Sequence, residues 1–134
     1  MQSNLLPTIG AAALIRHDPR KAIAALAVSA PYELGQATAV SFCLYGAYLR
    51  GEAYLATKQG SEAAAEFQKI LVHPGIVANE PIGALAHLGL GRAYALTRDS
   101  RKAKPAYQDF LKLWKDADPN IPILQQAKAE YANL

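Results

Sequence analysis

The feature that most constrains this chain is an internal repeat of 40 residues. Laid over Leu88–Leu96, the segment Tyr48–Ala56 places Gly51, Ala53 and Tyr54 on Gly91, Ala93 and Tyr94. The same offset carries Ala63 to Ala103, Phe67 to Tyr107, Gln68 to Gln108 and Leu71 to Leu111. A more degenerate copy lies upstream at an offset of 41, with Gly10 for Gly51, Ala22 for Ala63 and Leu26 for Phe67. A unit this short cannot bury its apolar face alone, so neighbouring copies must stack.

Each copy reads as a helical hairpin. Apolar residues recur three and four apart in Leu44, Tyr48, Leu49, Ala53, Tyr54 and Leu55, and again in Leu85, Leu88, Leu90, Ala93, Tyr94 and Leu96. Short polar breaks follow at 17–20, 57–61 and 97–100, which makes the flanking helices antiparallel neighbours. Asp18 before Pro19 is a good cap and first-turn pair, and Asp99 offers a second cap. Lys58, Arg98 and His17 stand where a helix exit favours a left-handed residue. Pro105, five or six residues into a second helix, should kink it or delay its start. Gly51 and Gly91 each cost about 1 kcal/mol inside a helix. Close approach to the small Ala63 and Ala103 is the expected reason, whereas Gly60→Ala should cost little.

Composition agrees with helices. Alanine occurs 27 times in 134 residues, and 51% hydrophobic against 19% charged content excludes a disordered chain. The length suits one domain, 1–134, with repeats at about 4–33, 42–75 and 82–117. A final stripe of Leu124, Ala127, Tyr131 and Leu134 marks a capping helix over about 121–134, preceded by Asp116 and Asp118 as cap candidates. The expected fold is therefore an all-α stack of about three hairpins plus a cap.

The small-residue and aromatic order in Leu90, Gly91, Tyr94, Ala103 and Tyr107, and in Gly51, Tyr54, Ala63 and Phe67, resembles the tetratricopeptide repeat. That resemblance implies a right-handed superhelix whose first helices line a concave groove. The period of 40 exceeds the family's 34, and Ala47 and His87 replace the family tryptophan. Segments 48–66, 78–94 and 114–124 look like the C-terminal repeats of large bacterial, especially acidobacterial, proteins. In those proteins the repeats follow a serine/threonine kinase or a winged-helix domain, so this chain would be part of a larger signalling protein.

By the same register the groove would be lined by Tyr45, Tyr48, Glu52 and Leu55, then Leu85, Leu88, Arg92 and Leu96, with Tyr48 and Leu88 equally readable as interhelical packing. Such a wall suits a peptide or protein partner, including one from the parent's own chain. No polar constellation converges for catalysis. His17, His73 and His87 lack ligand spacing, Cys43 reads as a buried apolar residue, and the glycines of 83–91 follow no strand. Neither catalytic residue, metal nor cofactor is expected. Glu62 and Glu66 are expected on an exposed helix face. A net charge of +3, spread singly apart from 98–104, is too small a footprint for nucleic acid. The absence of an 18-residue apolar run argues against membrane insertion and for the cytoplasm, or the outer side if the parent spans a membrane. The first functional expectation is a non-catalytic interaction or scaffold module. The second is an architectural spacer or dimerisation segment, since an exposed end of so short a stack can pair with a second copy.

Overall fold

A computed structural model describes residues 17–28, 30, 44–73 and 81–134. The first helix of the upstream copy, Cys43 and most of both linkers lie outside them. Within them the secondary structure is helical, without a strand. The helices are α1 (Pro19–Ala27), α2 (Tyr45–Ala56), α3 (Gly60–Leu71), α4 (Pro81–Leu96), α5 (Ser100–Leu113) and α6 (Pro122–Ala132). Helices α2 and α3 form one hairpin, α4 and α5 the next, and α3 packs against α4 to join them.

The caps follow local chemistry. Asp18 and Asp99 accept hydrogen bonds from the backbone N–H of Lys21 and Lys102, each at 3.2 Å. Helix α6 differs from expectation, because its N-cap is Ile121 with Pro122 in the first turn. Asp118 instead accepts from the Asn120 N–H at 2.9 Å, building the turn before the helix. At the hairpin turns the two copies repeat one device. Gln59 N–H donates to Tyr54 O and Lys58 N–H to Leu55 O, and Asp99 and Arg98 do the same to Tyr94 and Ala95. Both are Schellman closures, with Lys58 and Arg98 left-handed at φ 61° and 60°. Pro105 lies inside α5, so the helix neither starts after it nor stops at it.

Helix α4 is apolar nearly all round because it touches α2, α3 and α5, and it buries Ile82, Ala86, Leu88, Gly89, Leu90, Gly91 and Ala93. One core gathers Leu44, Ala47, Ala63, Phe67, Ile70, Ile82, Ala86 and Ala93, and a second Leu88, Tyr107, Phe110, Leu124 and Ala127. The glycines make room for rings, not for alanines. A Cβ at Gly51 or Gly89 would fall 2.6 or 2.4 Å from Phe67 Cζ, and one at Gly91 would fall 2.7 Å from Tyr107 Cδ2. Phe67 thus inserts its ring tip between a glycine of its own hairpin and one of the next. Gly60 is also tight: a Cβ there would stand 2.7 Å from the Ala93 carbonyl oxygen, a backbone atom that cannot swing aside. Gly60→Ala is therefore costly, contrary to the sequence expectation.

Arg50 is the buried cation among the described residues, 2% exposed. Its Nε and Nη2 donate to the two Glu66 carboxylate oxygens at 3.1 and 2.9 Å, and its Nη1 donates to Leu26 O at 3.1 Å. That fork ties α2 to α3 and to a carbonyl in the last turn of α1, where intrahelical donors run out. Glu66 is accordingly 16% exposed and does not lie on an open face.

Candidate functional site

The stripes Tyr45, Tyr48, Glu52, Leu55 on α2 and Leu85, Leu88, Arg92, Leu96 on α4 lie on helices in contact. A cleft of about 350 Å³ is lined by Leu55, Lys58, Arg92, Ala95, Leu96, Tyr107 and Glu130. It contains three of the eight expected residues, Leu55, Arg92 and Leu96. The other five are buried or half-buried and are not among its lining residues. Tyr45 and Tyr48 rest on the core around Phe67, Tyr48 meeting the Phe67 ring edge-on at 5.9 Å and 65°. Leu85 packs against the second core, and Leu88, 1% exposed, belongs to it. Leu88 is thus no groove residue: α6 sets Leu124 and Ala127 into the same cluster.

Arg92 is also held from α6. Its Nε donates to Glu130 Oε2 at 2.9 Å and its Nη2 to Oε1 at 3.0 Å, while the Tyr107 hydroxyl donates to Oε2 at 2.7 Å. Burial works against ionisation of Glu130, but these donors prevail and hold its carboxyl below the usual range. Burial, helped by the bond to Glu130, raises the Tyr107 phenol. Glu52 behaves oppositely. Its burial outweighs the attraction of Arg92 and the Tyr48 hydroxyl, and its carboxyl is pushed above the ordinary value. Burial and the neighbouring Glu52 likewise raise the Tyr48 phenol. Arg92 therefore sits between two carboxylates of unlike character, one each from α2 and α6.

Sequence reasoning missed Lys58, Ala95, Tyr107 and Glu130. Two signals were available. Tyr107 replaces Phe67 at the same repeat position, and a buried phenol needs an acceptor. Glu130 lies three residues beyond Ala127, beside the apolar stripe of α6, where a carboxylate meets the helix it covers.

Elsewhere, His87 Nδ1 is 3.8 Å from Asp109 Oδ2, with burial lowering its pKa against that carboxylate's pull. His73 Nδ1 lies 2.8 Å from Lys69 O. Among the described residues no three His, Cys, Asp or Glu side chains group as metal ligands, and no helix is long and apolar enough to cross a membrane. The cleft thus offers aliphatic surface from Leu55 and the exposed Leu96, the salt-bridged Arg92–Glu130 pair, and an exposed lysine. No family model, curated protein or solved structure matches the chain.

Proposed function

We propose that the chain is a non-catalytic protein-interaction module, a tetratricopeptide-like superhelical array that receives a short segment of a partner protein in this cleft. The observation that carries the reading is the cleft itself, which opens between consecutive hairpins and combines Leu55 and Leu96 with Lys58 and the Arg92–Glu130 pair. Apolar contact supplies affinity there, and fixed polar groups supply orientation. A signalling parent with a kinase or winged-helix domain upstream belongs to the same proposal and rests on the repeat resemblance.

Selection from a random peptide display library against the folded chain tests it. Selected peptides should bind wild type, and Leu55→Ser with Leu96→Ser should abolish that binding while helicity persists. An exposed control, Glu62→Ala with Lys112→Ala, should bind as wild type does. Equal loss in both variants, or no enriched peptide, would refute the reading.

A further inference from the structure

The hairpin turns lie along one edge of the stack, because each connects a first helix to an antiparallel second one. Direct packing supports this: a Cβ at Gly60, which opens α3, would fall 2.9 Å from Thr97 Cγ2 and 3.0 Å from Leu96 Cβ at the next turn. Helix α1 enters from the same edge, since Ala22 and Leu26 cluster with Ala53 and Leu49 and place its start beside the end of α2.

This edge carries Arg20, Lys21, Lys58, Arg98, Arg101, Lys102 and Lys104, all exposed. They are seven of the thirteen basic side chains among the described residues, whereas Asp18, Glu62 and Asp99 of the nine described acidic ones lie there. The other described residues carry six basic and six acidic side chains, so among the described residues the excess positive charge is concentrated on this edge. Asp18 and Asp99 are engaged in capping, with Lys21 and Lys102 at 3.4 and 3.8 Å. Lys58, Arg98, Arg101 and Lys104 make no ion pair or side-chain hydrogen bond among the described residues. Lys58 also lines the cleft, so cleft and basic edge are continuous.

Resting on the interaction reading above, we infer that the partner segment is acidic: an aliphatic side chain seats between Leu55 and Leu96 while flanking carboxylates run along the turns over Lys58, Arg98 and Arg101. Neighbouring hairpins place their turns roughly 10 Å apart, a span of about three extended residues. A segment with carboxylates on both sides of a leucine therefore matches two successive turns. Exposed charges of this kind add rate and selectivity and are screened by salt.

Fluorescence anisotropy with a labelled decapeptide of glutamates around one central leucine tests the inference. A glutamine version, a 20-base-pair DNA duplex and vesicles rich in phosphatidylserine serve as comparison probes. The glutamate peptide should bind most tightly and weaken as salt rises. Lys58→Gln with Arg98→Gln and Arg101→Gln should weaken it about tenfold. Lys112→Gln with Lys115→Gln and Lys128→Gln, the same loss of charge away from the turns, should change little. Equal affinity for glutamine and glutamate peptides, each lost on Leu55→Ser with Leu96→Ser, would overturn the acidic partner and leave the cleft reading intact. Binding of neither peptide would overturn both, and tighter binding of DNA or vesicles would overturn the peptide assignment.

Discussion

Gly89→Ala probes the packing that aligns the two hairpins. The added methyl would lie 2.4 Å from Phe67 Cζ and 2.5 Å from Cε1, where unstrained carbons settle at about 3.5–4.0 Å. The ring tip would have to retreat by roughly 1 Å, yet Gly51 of α2 bounds it as well, its own Cβ position lying 2.6 Å from the same Cζ. Overpacking of a closed site costs about 1–3 kcal/mol, and an overlap this deep belongs at the upper end. Alanine returns about 1 kcal/mol of helix propensity, leaving a net loss near 2 kcal/mol and a fall in Tm of about 8 °C. Phe67→Leu removes the ring tip. In that background Gly89→Ala should stabilise by about 1 kcal/mol, giving a coupling of about 3 kcal/mol in a urea-denaturation cycle. Additivity within about 0.5 kcal/mol would refute the two-glycine socket.

Pro105→Ala should stabilise by about 2 kcal/mol in thermal melts. Proline as the sixth residue of α5 cannot donate to the Arg101 carbonyl, a loss of about 3 kcal/mol that its restriction of the unfolded chain offsets by under about 1. Glu66→Ala should cost about 3 kcal/mol in urea denaturation by removing the carboxylate that faces the buried Arg50 guanidinium, and Arg50→Met added to it should recover much of the loss. Glu52 gives a pH test. Its folded pKa is raised above 4.5, so the folded state binds the proton more tightly than the unfolded chain does, and the resulting stability is lost as pH rises through the folded value. Glu52→Gln should therefore raise Tm at pH 7, with the gain shrinking on acidification and absent below 4.5; a gain independent of pH would contradict the sign.

The parts of the fold legible in the sequence were those set by local rules. Asp18, Asp99 and the positions of Lys58 and Arg98 follow from the chemistry of helix ends, and the stripe of α6 from its period. What stayed hidden depends on side-chain reach across helices. The offset of 40 identifies Gly51 and Gly91 as equivalent but not which atoms approach them, and the bulk proved to be Phe67 and Tyr107 instead of Ala63 and Ala103. Glu66 read as solvated because nothing along α3 reveals an arginine sixteen residues earlier on α2. A groove register drawn from two helices omits the third that covers it, and α6 converts Leu88 into core and gives Arg92 a resident carboxylate.

The described helices have unequal footing, which bears on how the fold opens. Helix α4 leans on α2, α3 and α5, while among the described residues α1 rests chiefly on α2 and α6 on α5. Contacts that fall mostly between neighbouring helices let the less anchored helices detach before the central ones. Amide exchange should accordingly be slowest in α3 and α4, around Phe67, and fastest in α1 and α6. Because Glu130 lies on one of the fast helices, each excursion of its last turn exposes the Arg92 and Tyr107 donors without disturbing the centre of the array.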